Sequence, residues 1–443
     1  MLVTTVAIMA IVAFAVIGWA AVRGDDESLG GGDGGWDRIV LVDRSSGALT
    51  FVDGDGEVVD SVVGRGRVSE IHQIGSRFAL VGPTQIVLEG DPDGDSEATT
   101  LPIDRTDTVT PIRTSGTLHL VIGDANGGNV IIVDVASGEV LDVGLLARSA
   151  EPQIFANPLL FAETVRWSAD AQRFAVADAS SFQTIVVRQG SEEVAFFGSQ
   201  PVALSNERIA TGQTIGGQAD VELLDDDRNS KARVPTPIPA GGVMVGDDLL
   251  MISIDGGVHL VESGQAEARE LGQVAVPSGA TVAAVHPVFD GERLLVSGSV
   301  FEAVIDLEGR TLFTTTFATP VEVASPAPDG TCLAIGGGTS FHSIVDLETG
   351  DQLADLSGVE VIGASRDGCT VLGERAGITE VISADGTVSL GRVRSAALGP
   401  DGRAVVRTPT SGPPEILPID DLRLGDPVLL TDTPPNPAVV FVG

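Results

Sequence analysis

Short apolar segments separated by polar turns extend from residue 37 to the end of the chain at residue 443. The segments are about four to seven residues long and rich in Val, Ile, Leu and Ala, which is typical of β-strands. The turns repeatedly contain Asp and Gly, because Asp caps its own backbone and Gly adopts positive φ. The pattern predicts an all-β domain over residues 37–443.

One phrase recurs throughout this domain, and its clearest copy is SPAPDGTCLAIGGGTSFHSIVDLETGDQLADL at residues 325–356. An Asp-Gly turn leads into a strand, a second strand ends in Asp, and a Thr-Gly turn leads into a third. The strands after the first turn begin near Ile39, Phe78, Leu118, Phe174, Ile209, Leu249, Leu294, Cys332, Thr370 and Ala404. Their spacing of mostly about 35–45 residues predicts the four-stranded blades of a β-propeller.

The SPxPDGxxLA and IVDLETGxxL phrases resemble the repeats of WD40-like, YVTN-type and quinoprotein-type β-propellers. The resemblance covers roughly residues 37–443 and implies a fold without implying a partner. The Trp-Asp and Gly-His signature of true WD40 repeats is absent from every unit. The aligned Asp134, Asp306 and Asp346 are interpreted as turn residues and not as a shared site.

The number of blades is less clear than the repeat itself. About ten units can be read, whereas propellers typically have about four to eight blades, so we expect 7–10 blades. Incomplete units, one large ring or two rings would each account for the excess. The first unit begins directly at RIVLV, residues 38–42, without a leading strand. We therefore expect the last segment, PAVVFVG at residues 437–443, to complete the first blade and close the ring.

Residues 2–22 form one apolar run without a charge. About 20 such residues match the hydrocarbon thickness of a membrane, so residues 1–23 are predicted to be a transmembrane signal-anchor. A cleaved signal peptide is the alternative, although the run is long for one and no basic residue precedes it. Residues 24–36 are rich in Gly and Asp and predict a flexible linker.

The side of the membrane on which the domain lies depends on weak signals. The basic residue nearest the helix is Arg23, which taken literally would place the domain in the cytoplasm. Cys332 and Cys369 both follow Asp-Gly turns of adjacent units, on the same rim of a propeller. The alternatives are a disulfide, which would indicate an oxidising compartment, and two buried free thiols. We expect a single-pass cell-membrane protein with its main domain outside the cytoplasm.

The net charge of −36 argues against nucleic-acid binding, since a phosphate backbone would be repelled. One acidic loop, EGDPDGDSE, places oxygen ligands in alternation at Asp91, Asp93, Asp95 and Glu97. Hard cations such as calcium prefer several oxygens from one flexible loop. The alternatives are a calcium site and a solvated hairpin turn. No other metal or cofactor is predicted, and the five dispersed histidines are interpreted as ordinary strand or turn residues.

One segment interrupts the repeat, RSAEPQIFANPLLFA at residues 148–162. It is interpreted either as an extra strand or as a lid or partner-binding loop, since long loops often carry function.

No catalytic residue is predicted. The chain has no Tyr, which excludes the nucleophile of sialidase-type propellers, and it has no GxSxG elbow, P-loop or Rossmann fingerprint. The first hypothesis is a membrane-anchored extracytoplasmic module that binds a protein or cell-surface ligand. The alternative is an extracytoplasmic propeller enzyme, either a glycan hydrolase or lyase or a quinone-dependent dehydrogenase.

Overall fold

The computed structural model describes Trp36 and residues 38–442, with gaps at 75–76, 90–97, 106, 115–116, 124–129, 136–137, 139, 143–165, 169–172, 179–182, 189–193, 199, 216–217, 226, 318–329, 338–339, 421–422, 432 and 435–436. This described part is all-β, with one 3-10 helix at Phe289–Gly291. It contains no helix that is long and apolar enough to cross a membrane. The predicted anchor over residues 1–23 lies outside it, as does the predicted linker up to residue 35.

The strands form antiparallel sheets in chain order, most of them four-stranded. The first sheet comprises β1 (Arg38–Asp43), β2 (Ala48–Asp53), β3 (Val58–Val62) and β39 (Ala438–Val442). The second comprises β4 (Glu70–Ile74), β5 (Arg77–Val81), β6 (Gln85–Glu89) and β7 (Thr99–Pro102). The third comprises β8 (Thr108–Thr114), β9 (Thr117–Gly123), β10 (Val130–Asp134) and β11 (Val140–Asp142). The fourth comprises β12 (Arg166–Trp167), β13 (Arg173–Asp178), β14 (Gln183–Arg188) and β15 (Val194–Gly198).

The next three sheets repeat the same meander. The fifth comprises β16 (Gln200–Leu204), β17 (Arg208–Ile215), β18 (Gln218–Asp225) and β19 (Ser230–Thr236). The sixth comprises β20 (Pro239–Val245), β21 (Asp248–Ser253), β22 (Gly257–Val261) and β23 (Arg269–Gln273). The seventh comprises β24 (Val282–Val288), β25 (Arg293–Gly298), β26 (Phe301–Asp306) and β27 (Thr311–Thr316).

The eighth and ninth sheets share one long strand. They comprise β28 (Cys332–Gly337), β29 (Ser340–Asp346), β30 (Gln352–Ala364), β31 (Val371–Arg375), β32 (Ile378–Ser383) and β33 (Gly386–Gly391). The first part of β30 pairs with β29 and its last part with β31. Gly358 has a φ of 75° near this change of partner, a conformation that glycine adopts without strain.

The tenth sheet comprises β34 (Val393–Leu398), β35 (Ala404–Pro409), β36 (Glu415–Asp420), β37 (Arg423–Leu424) and β38 (Val428–Leu429). Nine of the ten strand starts expected from the repeat lie within a strand, and the other, Thr370, directly precedes β31. The repeat therefore locates these strands, because the turn residues on either side of each one recur in the sequence.

The C-terminal strand belongs to the first sheet, whose order is β3-β2-β1-β39. β39 pairs antiparallel with β1, from Arg38 opposite Val442 to Val42 opposite Ala438. The first sheet is thus built from both ends of the described chain, as the missing leading strand predicts.

Apolar side chains fill the interfaces between successive sheets. One cluster joins the first and second sheets through Val40, Phe51 and Phe78, and another joins the sixth and seventh through Leu250 and Phe301. A further cluster joins the tenth sheet to the first, since it contains Val406 and Ile416 together with Phe441. In the sequence, residues 143–165 separate the last strand of the third sheet from the first strand of the fourth, and they lie outside the described part.

Candidate functional site

Two of the expected functional segments cannot be placed. The acidic loop with Asp91, Asp93, Asp95 and Glu97 lies outside the described residues, and so does the segment at residues 148–162. Within the described part, no group of His, Cys, Asp or Glu side chains is arranged to hold a metal ion. Calcium binding at the acidic loop therefore stays a prediction.

The two cysteines form a disulfide that joins the eighth and ninth sheets. Cys332 begins β28 and Cys369 lies in the turn before β31, with their Cα atoms 5.0 Å apart. The backbone N–H of Cys332 donates to the carbonyl of Asp367 at 2.8 Å. Gly368 permits this approach, because a Cβ there would collide with the carbonyl oxygen of Cys332. The DGC turn is thus held against the neighbouring sheet both covalently and by its backbone.

The recurring Asp residues act in turns. The Asp306 carboxylate accepts the N–H groups of Glu308 and Arg310 at 3.0 and 2.8 Å. Asp346 accepts those of Glu348 and Thr349 at 2.7 and 3.0 Å. Such bonds satisfy backbone donors within a tight turn. These carboxylates therefore have a structural role at their separate turns.

A recurring serine has a similar role that the sequence analysis did not single out. Ser168, Ser205 and Ser365 precede the second strands of the fourth, fifth and ninth sheets. Each hydroxyl accepts the N–H of the residue three or five positions later, at 2.9–3.0 Å. Ser365 begins a Ser-x-Asp-Gly phrase, which is typical of a capped turn, whereas Ser168 begins SADA and Ser205 begins SNER, so no shared motif marks all three.

We call the first strand of each sheet its leading strand, and in the fourth to seventh sheets these strands lie beside one another. Contacts run from β12 to β16, from β16 to β20 and from β20 to β24. Arg166 on β12 donates through Nε to the carbonyl of Val202 on β16 at 3.2 Å. The pKa of His286 on β24 is lowered to about 4, mainly by burial of the imidazole and secondly by the positive charge of Arg166. This cluster therefore combines a cation with a neutral imidazole near neutral pH.

A second polar pair lies on the leading strand β4. The Nε2 atom of His72 is 3.2 Å from the Oε2 atom of Glu70. His72 is buried, whereas Glu70 is half exposed. Gln73 follows His72 in the sequence, and its side-chain amide donates to the carbonyl of Phe441 at 2.6 Å. This last contact ties the second sheet to the C-terminal strand, which indicates a structural function for this part of β4.

An exposed apolar surface lies where the first and tenth sheets meet. We call it the seam surface and define it by Val58, Val59, Val63, Leu424 and Leu429, which are between 36% and 86% exposed. The two sheets touch here, since a Cβ at the turn residue Gly56 would lie 3.6 Å from the carbonyl oxygen of Leu429. Exposed aliphatic clusters often mark interaction sites.

Exposed carboxylates occur near the seam-surface residues along the chain. Asp55, Glu57, Asp60 and Asp426 are all exposed and lie within a few residues of its members. β3 exposes two valines, as the outer strand β11 exposes Val140, whereas β7 exposes threonines and β23 exposes Arg269 and Glu270. The exposed surface at this edge is therefore apolar, with negatively charged residues near it in the sequence.

Glu302 on β26 is a buried carboxyl whose ionisation should affect folding. It is 2% exposed, and burial raises its pKa to about 8 from an ordinary 4.5. The folded chain therefore retains a proton that the unfolded chain loses between about pH 4.5 and about pH 8. We expect Glu302 to lower the free energy of unfolding as the pH rises through this range. Urea unfolding of the wild type and Glu302→Gln, compared at several pH values, should show a steeper decline in the wild type. Parallel pH profiles would contradict the assignment.

No protein-family model matches the sequence, and no curated protein sequence matches it. A crystal structure of a eukaryotic initiation factor has 12% identity and a TM-score of 0.43, covering 88% of this chain and 95% of that chain. PorZ, an essential bacterial surface component of the type-IX secretion system of Porphyromonas gingivalis, has 13% identity and a TM-score of 0.35, covering 90% of this chain and 54% of that chain. The chain thus spans about half the length of PorZ. Neither similarity assigns the chain to a family.

Proposed function

We propose that this chain is a membrane-anchored extracytoplasmic β-propeller whose rim binds a protein partner. The pairing of β39 with β1 and the apolar cluster between the tenth and first sheets support a closed ring. In that ring each sheet is one blade, and the blade number is ten. The leading strands would then line the central channel.

The placement outside the cytoplasm rests on the disulfide and on the apolar N-terminal run. Disulfides persist in oxidising compartments and are rare in the cytosol. Residues 2–22 would anchor the propeller, and the Gly- and Asp-rich linker would allow it to stand away from the membrane.

The seam surface is the observation that carries the binding function. Outer strands of sheets usually protect their edge with charged side chains or proline. β3 has one exposed charged residue, Asp60, beside the exposed Val58 and Val59, and Val63 follows at 86% exposure. A partner segment in extended conformation could add to this edge through backbone hydrogen bonds, with its apolar side chains against the valines.

The charge around the surface defines the partner further. The exposed carboxylates Asp55, Glu57, Asp60 and Asp426 would attract lysine or arginine side chains and raise the association rate at low salt. The partner proposed is therefore an extended protein segment that alternates apolar with basic residues.

Site-specific cross-linking in intact cells tests this function. A photoreactive residue placed at Val63 should give a discrete adduct in the full-length protein. The same residue at Val245, which is 37% exposed on the sixth sheet, should not. Replacing Val58 and Val59 by lysine adds charge of the partner's own sign and should reduce the Val63 adduct more than tenfold.

Two results would overturn the proposal: equal adducts at Val63 and Val245, or an adduct at Val63 that the lysine substitutions leave unchanged. The enzyme alternative instead needs carboxylates that converge with His and Arg in the channel. The cluster of Arg166 with His286 supplies an arginine and an imidazole but does not by itself provide the carboxylates that such a site needs.

A further inference from the structure

Three polar side chains are buried in the seventh and eighth sheets without visible hydrogen-bond partners for one atom each. These atoms are the Oγ of Ser297, the Oε2 of Glu302 and the Oγ of Ser343. The residues are 2%, 2% and 0% exposed. Buried polar groups are nearly always paired with protein or with ordered water, so three such atoms in one region require a common explanation.

Ser297 and Glu302 face the eighth sheet. They lie directly opposite each other on β25 and β26. Leu295 and Val304, two residues away on the same strands, belong to the apolar cluster shared with the eighth sheet. Because side chains two residues apart on a strand share a face, the serine and the glutamate point into the same interface.

Ser343 faces the same interface from the other side. Val345, two residues further along β29, packs in that shared cluster, whereas Ile344 packs in the cluster with the ninth sheet. The alternation therefore directs Ser343 towards the seventh sheet. Its neighbour across the strand pair is Ile335, a member of the same cluster.

The interface between the sixth and seventh sheets has apolar residues at the positions equivalent to Ser297, Glu302 and Ser343. Ser297 and Ile252 each lie three residues after the start that the repeat predicts for their strands. Glu302 lies opposite Ser297 as Val258 lies opposite Ile252. Ser343 and Ala303 each lie three residues before the Asp that ends their strand. Ile252, Val258 and Ala303 are all buried in one apolar cluster. Three positions that are apolar between the sixth and seventh sheets are therefore polar between the seventh and eighth sheets.

We propose that Ser297, Glu302 and Ser343 form a built site for an internal water molecule between the seventh and eighth sheets. A buried water typically makes about three hydrogen bonds to polar groups that lack other partners. The raised pKa of Glu302 keeps its carboxyl protonated near neutral pH, and a protonated carboxyl can donate a hydrogen bond to a neutral water molecule. The water in turn donates to the serine hydroxyls, so that it bridges the two sheets.

A double-variant comparison in the full-length chain in detergent tests the bridge. Ser297 and Ser343 lie on different sheets, and the shared water would couple them. The double variant Ser297→Ala with Ser343→Ala should therefore lower the urea midpoint by about as much as the more damaging single variant. As a control, Ser297→Ala combined with Ser365→Ala should be additive, since Ser365 is buried in the turn before β31 with its own hydrogen bonds.

A spectroscopic measurement tests whether the bound molecule is water. Infrared difference spectra in water labelled with oxygen-18 should show a shifted O–H stretch in the wild type that disappears in Glu302→Leu. Additive effects of the two serine variants, or no isotope-sensitive band, would overturn the proposal. Stabilisation of the wild type by sodium but not by choline, lost in Glu302→Gln, would also overturn it by identifying a cation in place of water.

Discussion

Replacing Phe441 with alanine should lower the free energy of unfolding by about 3–5 kcal/mol, the cost typical of deleting a buried phenylalanine. The ring is 5% exposed and packs edge-on against Trp36 at a centroid distance of 5.3 Å. It belongs to the cluster that joins the first and tenth sheets. The loss is a large share of the stability of a typical domain, which is about 5–15 kcal/mol. Urea unfolding followed by tryptophan fluorescence in detergent measures it.

Deletion of residues 437–443 should have a still larger effect, because it removes all of β39. β1 would then expose an unpaired edge, and both clusters that β39 shares with its neighbours would open. Ile378→Ala is the matched control: that side chain is 39% exposed at the start of β32, and its loss should change stability by less than about 0.5 kcal/mol. A deletion variant that melts at the wild-type temperature would contradict the role of β39 in joining the ends.

The repeat in the sequence was sufficient to locate the strands because turn chemistry is local. Asp-Gly pairs favour turns through local interactions, so the starts near Leu294 and Ala404 could be read without tertiary information, although the Thr-Gly pair at Thr211 and Gly212 lies within β17. The pairing of β39 with β1 was predictable for a different reason. The first unit lacked one strand, and the last apolar segment of the sequence was a strand without a unit. The second could therefore complete the first.

The sequence alone could not show which polar residues would share an interface. Glu302 and Ser343 lie 41 positions apart and look like ordinary strand residues. Their common burial depends on how the seventh sheet stacks on the eighth, which no local pattern encodes. The cluster of Arg166 and His286 is missed for the same reason, because two other leading strands, β16 and β20, separate β12 from β24 in the chain order. The continuous β30 was also unforeseen, since the repeat predicts a break between the units that it joins.

Replacing Cys332 and Cys369 together by serine should lower the free energy of unfolding by about 2–4 kcal/mol. The bond closes a loop with a sequence separation of 37 residues, and it ties β28 to the turn before β31. Cross-linking restricts the unfolded chain, and a longer loop loses more conformational freedom. Thermal unfolding with and without dithiothreitol measures the effect. The reductant should destabilise the wild type and leave the double serine variant unchanged.

The same bond reports the compartment in which the protein folds. If the domain lies outside the cytoplasm, alkylation of freshly broken cells should find both thiols blocked before reduction and free after it. The β-domain expressed without residues 1–35 would remain in the cytosol, and its thiols should react without reduction. Full-length protein with reactive thiols would contradict the extracytoplasmic assignment while leaving the sheet arrangement intact, because the eighth and ninth sheets also share β30 and an apolar cluster that includes Ala334 and Val371. The disulfide thus separates the question of location from the question of fold.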